Sequence, residues 1–298
     1  MLLVTGATSH TGKIFLNLLE EKKYSGKIRC LVRDRSKIDW LKSLSLEIEI
    51  FLGDLNETDS LVGCFKEVKT ILNIAGIHFT LILLELGKKE HVDWFICVHT
   101  TGLYSKFKTA SKKYKKIEES ISKQSSCVTI IRPTMIYGGS NDKNMWNLIN
   151  YLDNNYVFPI FGSGKNLFQP IFAGDLADAY YKVLSSRNAV IGKNYNLSGG
   201  SEISYNSILQ IISSQLNRKN LYIRIPIWFS LVLLYFYKFL KKNGVTVSKE
   251  QILRMKEDKI FSYQKAKNDF GFDPISFNKG IIIEIKEYKK LKNNQPTN

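Results

Sequence analysis

The stretch Leu2-Leu3-Val4-Thr5-Gly6-Ala7-Thr8-Ser9-His10-Thr11-Gly12 opens the sequence and decides its fold. The first residues form an apolar run typical of a buried strand. From Gly12 to Lys23 the apolar residues recur at helical spacing, which predicts an amphipathic helix. Glycine at a sharp turn from strand to helix lets backbone N–H groups approach a diphosphate, and the helix N-terminus adds partial positive charge. The stretch therefore predicts a phosphate-binding loop.

Short apolar runs and helical segments alternate through the first half of the chain. The runs predict strands at residues 2–5, 27–32, 46–52, 70–74, 94–98 and 128–132. The segments between them predict helices at 12–23, 36–44, 59–66, 78–86 and a Lys-rich 105–123. Near-continuous apolar strands separated by helices indicate a parallel sheet buried on both faces. The predicted fold class is therefore α/β, with a doubly wound parallel sheet.

The pattern becomes less regular after Pro133, where glycine pairs separate shorter elements. Helices are predicted there at 145–152, 176–184, 205–216, 228–240 and 278–291. We therefore predict three parts: a dinucleotide-binding domain at 1–135, a smaller, irregular substrate region at 136–290 and a flexible tail at 291–298.

The composition is that of a folded protein with an unusual charge. Hydrophobic residues make up 44% of the 298 residues and charged residues 23%, which excludes general disorder. The net charge of +16 indicates an anionic partner such as nucleic acid, a lipid surface or a phosphorylated substrate. No nucleic-acid recognition motif is present, and aromatic residues do not interleave with the Lys-rich helix. We therefore expect no nucleic-acid partner.

The four cysteines, Cys30, Cys64, Cys97 and Cys127, are far apart and form neither a CxxC pair nor a Cys/His cluster. This spacing predicts reduced thiols in a cytoplasmic protein, without a metal site. The N-terminus lacks the basic region and the small-residue cleavage site of a secretory signal, which agrees with that location.

An apolar segment at residues 225–240 contains Lys238 as its one charged residue and is followed by Lys241 and Lys242. It is shorter than the ~20 residues needed to span a bilayer. Three interpretations remain: a buried core helix, an interfacial helix with Trp228 at the headgroup boundary, or a span. The interfacial helix predicts peripheral association with the inner face of the membrane.

The Thr-Gly-x₅-Gly pattern resembles the short-chain dehydrogenase/reductase superfamily in its extended and atypical branches, with Ser9 in place of the usual middle glycine. Asp54-Leu55 and Ala75-Gly76, at the ends of the third and fourth strands, also resemble the family. The resemblance implies a Rossmann-type sheet and an NAD(P) cofactor. It implies these cofactor-binding residues: Gly6, Thr8, Ser9, His10, Thr11, Gly12, Arg33, Asp54, Leu55, Ala75, Gly76 and Pro133.

The choice of cofactor depends on the end of the second strand. In the family an acidic residue there binds the ribose hydroxyls of NAD, whereas an arginine binds the 2′-phosphate of NADP. Arg33 favours NADP, because a guanidinium can bind a phosphate with two hydrogen bonds. Asp34 follows directly and keeps NAD as the alternative.

The family's chemistry is carried by a Ser or Thr after strand five and a Tyr-x-x-x-Lys pair on the next helix. The resemblance implies Thr100 or Thr101 for the first role, and Tyr104 with Lys108 for the pair. Four-residue spacing would place both members on one helix face. Two other alignments break the pair. The first aligns Lys115 and Glu119 with the family's lysine and the glutamate that follows it, which leaves Ser111 at the tyrosine position. The second places Tyr114 at the lysine position and Ala110 at the tyrosine position.

Later segments resemble sugar-modifying extended members: Arg132-Pro-Thr-Met-Ile-Tyr137-Gly138, Gln169 to Ala177, and Tyr195 to Gly200. They imply an NAD(P)-dependent epimerase, dehydratase or reductase acting on a nucleotide sugar or a lipid-linked sugar, in surface polysaccharide biosynthesis. The substrate would be a small sugar, carried on a diphosphate or a polyprenyl group. The alternative is a non-catalytic NADP(H)-binding sensor or assembly subunit of the atypical branch.

Overall fold

A computed structural model describes residues 1–124, 127–232, 250 and 253–294. The first half of the chain supplies six fully parallel strands, as the apolar runs predict. They are β1 (Leu2–Thr5), β2 (Ile28–Val32), β3 (Ile48–Leu52), β4 (Thr70–Asn73), β5 (Trp94–Val98) and β6 (Val128–Pro133). All but β3 and the first residue of β4 are buried, which explains why these strands lack polar alternation.

Helices cover both faces of these strands: α1 (His10–Glu21), α2 (Ile38–Ser43), α3 (Thr80–Lys89) and α4 (Lys108–Gln124). Two predicted helices differ from the structure. The helix predicted at 59–66 is only a 3-10 turn, Thr58–Leu61, because Gly63 has a positive φ of 81° that an α-helix cannot contain. The helix predicted from residue 105 begins at Lys108, because Ser105 is extended after the 3-10 turn Thr101–Tyr104.

The second half adds shorter strands and a group of helices. The strands are β7 (Ile136–Tyr137), β8 (Val157–Phe161), β9 (Leu167–Phe168), β10 (Ile171–Phe172), β11 (Asn194–Leu197), β12 (Ile203–Ser204) and β13 (Leu221–Ile225). The helices are α5 (Met145–Asn154), α6 (Ala173–Ser185), α7 (Arg187–Val190), α8 (Tyr205–Gln215), α9 (Gln264–Phe270) and α10 (Phe277–Asn293).

The main sheet has seven strands in the order β11-β6-β5-β4-β1-β2-β3. The chain reverses its direction of winding between β1 and β4, and in doubly wound sheets ligands bind at this switch point, beyond the carboxyl ends of the strands. The α/β fold predicted from the sequence is confirmed. Its seventh strand, however, comes from residues 194–197, so the sheet includes chain on both sides of the predicted division at residue 135.

Three apolar clusters hold these layers together. One lies between the sheet and the helices α1 and α6 and contains Phe15, Leu16 and Tyr180. The second lies on the other sheet face beneath α3 and α4. The third joins α5, α8 and α10. Free thiols at Cys30, Cys64 and Cys97 are buried in the first two clusters, and Cys127 is half-buried.

Two elements predicted for the second half extend beyond the residues that the structure describes. Residues 227–232 are helical, and the rest of the apolar segment, 233–240, lies outside the described part of the chain. The predicted tail overlaps α10, which extends to Asn293; residues 295–298 are not described. Within the described residues, no helix is both long and apolar enough to cross a membrane.

Candidate functional site: a dinucleotide cleft and an adjoining cleft

A cleft of about 290 Å³ opens at the switch point of the sheet. It brings together seven of the predicted cofactor residues, which come from four different strand ends. These are Gly6, Thr8, Ser9, Arg33, Asp54, Leu55 and Ala75. Leu31, Phe79 and the ends of β2 and β3 complete its walls, so the cleft has apolar sides and a polar rim.

The loop between β1 and α1 has no room for further side chains. Gly6 has a φ of 73°, and a Cβ there would lie 2.8 Å from the backbone nitrogen of Ala75. A Cβ on Gly12 would lie 2.2 Å from the carbonyl oxygen of Gly6. These contacts are far below van der Waals distance, so both glycines are required by geometry. The cradle they form fits a diphosphate, which backbone N–H groups can approach closely.

Ser9 has a structural role in the position where the family carries glycine. Its hydroxyl caps α1 by accepting a hydrogen bond from the Gly12 backbone N–H at 3.2 Å. Capping satisfies one of the free N–H groups in the first turn. The hydroxyl keeps its own proton, which remains available for donation into the cleft.

The other predicted cofactor residues lie next to the cleft. His10, Thr11 and Gly12 form the first turn of α1, and Gly76 follows Ala75 with a φ of 132°. Pro133 ends β6, where its carbonyl oxygen accepts a hydrogen bond from the Thr101 hydroxyl at 3.2 Å.

Arg33 and Asp34 meet different environments at the end of β2. The Arg33 side chain is 73% exposed at the cleft, and its guanidinium lies 3.8 Å from an Asp54 carboxylate oxygen. An Asp34 carboxylate oxygen accepts the Ser36 backbone N–H at 2.9 Å and so caps the following turn. Hydrogen bonds from Asn56, first of all from its backbone N–H, lower the pKa of Asp54. The rim thus presents a guanidinium next to two anchored carboxylates.

A second cleft, of about 580 Å³, adjoins the end of β5 and contains the predicted Thr100, Thr101 and Tyr104. The Thr100 hydroxyl accepts the Gly102 backbone N–H at 3.0 Å, and the Tyr104 hydroxyl donates to Asn196 Oδ1 at 3.2 Å. The structure therefore places these three residues in one cleft, with their hydroxyl groups already bonded to protein atoms.

Residues from the C-terminal half form the opposite wall of this second cleft, and the sequence analysis did not identify them. Arg254, Lys256 and Lys259 line it, and burial, followed by the neighbouring Arg254, lowers the pKa of Lys259. Glu257 closes one end by accepting hydrogen bonds from the Ser105 hydroxyl and the Lys106 backbone N–H. No spacing pattern marks these residues, since only the fold carries them to β5.

Tyr104 and Lys108 do not share a helix face. Tyr104 ends the 3-10 turn, Ser105 is extended, and Lys108 is the first residue of α4. The geometric reason for pairing them is therefore absent. The side chain of Lys108 lies outside the described part of the structure.

The rotation of α4 decides between the other two alignments. Ser111, Ile117 and Ile121 face the sheet, and Tyr114 and Glu118 are half-buried on the same side. The Lys side chains described on this helix are all exposed: Lys112, Lys113, Lys115, Lys116 and Lys123. The alignment that uses Lys115 and Glu119 therefore points these two residues into solvent. In the alignment with Ala110 and Tyr114 in the tyrosine and lysine positions, Tyr114 is half-buried towards the sheet, and Glu118 then occupies the position of the following glutamate.

Glu118 lies at the centre of a buried polar network that the sequence analysis missed. One carboxylate oxygen bonds His99 Nδ1 at 2.9 Å, and both oxygens receive the Arg132 guanidinium. Burial alone would raise the pKa of Glu118, but the hydrogen bonds from His99 and Arg132 outweigh it and lower this pKa to about 2. Burial lowers the pKa of His99, and this effect outweighs the hydrogen bond to Glu118, which raises it.

The network continues from His99 to the phosphate loop. His99 Nε2 lies 3.0 Å from the Thr80 hydroxyl, and Thr80 receives Asn73 Nδ2 at 3.3 Å. Asn73 Oδ1 accepts the Thr5 hydroxyl at 2.8 Å. Hydrogen-bonded side chains thus join β1, β4, β5, α4 and β6 under both clefts. The sequence signal that could have revealed this network is Glu118, which stands at helical spacing with the apolar residues Ile117 and Ile121 and not with the exposed lysines of α4.

Comparisons with known proteins agree with this geometry. Residues 6–150 match the family model described as NAD(P)H-binding. Over 185 residues the chain is 24% identical to a subunit of the alpha subcomplex of mitochondrial NADH dehydrogenase (ubiquinone), subunit 9, from Arabidopsis thaliana. That match covers 60% of this chain and 45% of the plant protein, so the chain spans about half the length of the curated relative.

Solved structures resemble the fold over nearly its whole length. The structure of gox2253 has a TM-score of 0.77 at 18% identity and covers 99% of both chains. UDP-glucuronic acid 4-epimerase from Bacillus cereus, solved with NAD, has a TM-score of 0.74 at 16% identity and covers 97% of this chain and 99% of its own. At these identities the likeness establishes the fold alone. Residues 6–150 thus match a family of NAD(P)H-binding proteins, and the chain as a whole has the Rossmann-like α/β fold of these structures.

Proposed function

We propose that this protein binds NADP(H) without turning it over, and that it acts as a sensor or assembly subunit of the atypical branch. The dinucleotide cleft supports binding, because the glycine cradle, the capped helix and the exposed guanidinium of Arg33 lie around one opening. The residues that would use the dinucleotide for chemistry are not arranged as the family's mechanism requires.

The orientation of α4 carries this proposal. Glu118 ties the helix to Arg132 and so defines which side faces the sheet. In the alignment that puts Tyr114, on that side, at the family's lysine position, the tyrosine position is occupied by Ala110. A phenol has no charge to hold a neighbouring tyrosine in its reactive form, and alanine cannot transfer a proton. An assembly role also agrees with the similarity to a respiratory-chain subunit.

The second strand end supports NADP rather than NAD. Asp34 uses a carboxylate oxygen to cap the turn that follows it, whereas Arg33 is largely exposed at the cleft. A guanidinium can bind the 2′-phosphate of NADP with two charge-assisted hydrogen bonds. These bonds are stronger than those it can form with the ribose hydroxyl of NAD.

The second candidate function is an NAD(P)-dependent epimerase, dehydratase or reductase that uses Tyr104. The position of Tyr104 beside Thr100 and Thr101 in the 580 Å³ cleft favours it. Arg254, Lys256 and Lys259 on the opposite wall suit a diphosphate, so the substrate would be a nucleotide sugar or a polyprenyl-diphosphate-linked sugar. Such an enzyme would act in the cytoplasm, in surface polysaccharide biosynthesis.

One set of measurements separates the two functions. NADPH binding is followed by its fluorescence, and turnover is measured with UDP-sugars, dTDP-sugars and their keto forms. The proposal expects tight NADPH binding, no product with any sugar, and unchanged binding in Tyr104→Phe. Turnover that Tyr104→Phe abolishes would instead establish the enzyme. Failure to bind either dinucleotide would overturn both functions.

A further inference from the structure

The two-stranded sheet of β8 and β13 carries apolar residues on both faces, and Arg224 is its one charged residue. Its inner face packs Phe158, Ile160 and Tyr222 against the cluster of α5, α8 and α10. On its outer face, the registered partners Val157 and Leu221 are 40% and 50% exposed, and Ile223 is 47% exposed. A strand pair at a protein surface normally alternates apolar and polar residues. An apolar outer face therefore indicates a surface that another body covers.

The helical turn after β13 extends this outer face. Trp228 is 67% exposed and Phe229 42% exposed, with ring centroids 5.6 Å apart. A Cβ on Gly162, the residue after β8, would lie 3.2 Å from Ile227 Cδ1, so the turn lies directly against the end of the strand pair. We call the whole surface the outer apolar face; its residues are Val157, Phe161, Leu221, Ile223, Trp228 and Phe229.

The charge around the outer apolar face has one sign. Residues 203–232, the described stretch that includes β13 and the helical turn, contain no Asp or Glu and three basic residues: Arg218, Lys219 and Arg224. The neighbouring stretch 154–174, which includes β8, also lacks Asp and Glu and contains Lys165. Lys219 and Arg224 are exposed next to the apolar residues.

We propose that the outer apolar face docks onto an anionic lipid bilayer, with Trp228 at the level of the headgroups. Exposed apolar residues enter the headgroup boundary, a tryptophan suits that depth, and surrounding Lys and Arg residues bind anionic lipids. A second copy of the chain would bring two acid-free, basic surfaces together, so like charge opposes that occupant. This surface is separate from both clefts, and the inference is independent of the function proposed for them.

Flotation of the full chain with vesicles tests the proposal. We expect binding to vesicles of equal parts phosphatidylglycerol and phosphatidylcholine, and little binding to phosphatidylcholine alone. Raising NaCl from about 50 to about 500 mM should weaken it, because salt screens surface charges. Absence of binding to the anionic vesicles, or equal binding to both kinds, would overturn the proposal.

Paired variants separate the apolar and the charged contributions. Leu221→Thr/Ile223→Thr keeps the charge and the strand preference, and should lower vesicle affinity about tenfold. Lys219→Gln/Arg224→Gln keeps the apolar residues and should also lower it about tenfold. Val62→Thr, at an apolar residue 81% exposed on the other half of the protein, is the control and should have no effect.

Far-UV circular dichroism and a thermal melt of each variant verify that it is folded. If Leu221→Thr/Ile223→Thr does not fold, Trp228→Ala replaces it as the apolar variant. Vesicle affinity unchanged in the folded variants would contradict the proposal. If the protein forms a concentration-dependent dimer and the apolar variant remains a monomer, the outer apolar face binds a second copy. That result would also overturn the proposal.

Discussion

Glu118 of α4 and Arg132 of β6 form a buried ion pair, with the Arg132 Nε at 2.9 Å and 3.1 Å from the two carboxylate oxygens. Their side chains are 11% and 8% exposed. This pair orients α4 on the sheet, and with it the residues that two of the three alignments assign to the family's tyrosine and lysine. The interpretation of the site therefore depends on a contact outside both clefts.

Arg132→Leu should destabilise the protein by about 3–5 kcal/mol, because it leaves the Glu118 charge buried without its main partner. Urea unfolding followed by circular dichroism measures this. The double variant Arg132→Leu/Glu118→Leu should recover much of the loss. Arg218→Leu serves as the control, since its guanidinium is half-exposed next to Asp153 and should change stability by about 1 kcal/mol or less. Equal effects at the two arginines would contradict the role assigned to the buried pair.

Arg33→Ser should lower the affinity for NADPH by about ten- to a hundredfold and leave that for NADH nearly unchanged. The loss corresponds to about 1.5–3 kcal/mol for hydrogen bonds to a charged group. Fluorescence titration with both dinucleotides measures it. Arg35→Ser is the matched control, because Arg35 begins the turn two residues after Arg33 and does not line the cleft. An equal fall for NADH and NADPH would show that Arg33 does not read the 2′-phosphate.

Gly12→Ala should abolish measurable dinucleotide binding, because its Cβ would lie 2.2 Å from the Gly6 carbonyl oxygen and would push the loop open. Ser9→Gly is the matched control. It introduces the family's glycine, loses only the helix cap, and should lower stability by a few tenths of a kcal/mol with binding retained. The measurement is NADPH fluorescence with a parallel thermal melt. Normal binding by Gly12→Ala would refute the cradle.

Glu284→Gln should increase the free energy of unfolding relative to the parent protein, and this increase should grow as the pH rises. Glu284 is 1% exposed, and its carboxylate has no side-chain hydrogen-bond partner among the described residues; only the backbone of Gly138 and Gly139 approaches it. Burial, followed by the charges of Asp142 and Glu287, raises the pKa of this carboxyl from 4.5 to about 8. The folded state thus holds a proton that the unfolded chain releases, so stability falls between about pH 4.5 and pH 8.

The glutamine variant removes this dependence. Near pH 4 it should match the parent protein, and at pH 8 it should be more stable, by an upper bound on the order of 4 kcal/mol. Thermal melts across this pH range measure the difference. Glu119→Gln, an exposed position, should show no such trend. A constant difference between Glu284→Gln and the parent at all pH values would contradict the raised pKa.

The strands and the phosphate loop were predictable because their signals are local. A buried parallel strand needs only a short apolar run, and the loop needs Gly6 and Gly12 at fixed distances after β1. The helix predicted at 59–66 was wrong because apolar spacing does not register a glycine that adopts positive φ, as Gly63 does.

The catalytic region was harder to predict, for two physical reasons. The α4 sequence is rich in lysine, so a lysine or a similar residue four positions after a candidate tyrosine occurs in several alignments. Only packing shows which side of the helix faces the sheet. The second cleft is completed by Arg254, Lys256 and Lys259, which lie about 150 residues after β5 in the sequence. No local pattern links residues that meet only through the tertiary fold.

The position of β11 at the sheet edge has a consequence for how the chain folds. β6 exposes an unpaired edge until residues 194–197 arrive beside it, and α1 lacks its partner α6 until Ser185 has been added. During synthesis the nascent first half therefore carries an open strand edge and an uncovered apolar layer, both of which promote aggregation. Completion of the sheet is therefore coupled to translation of the second half, since β11 is added only when about two thirds of the chain has been made.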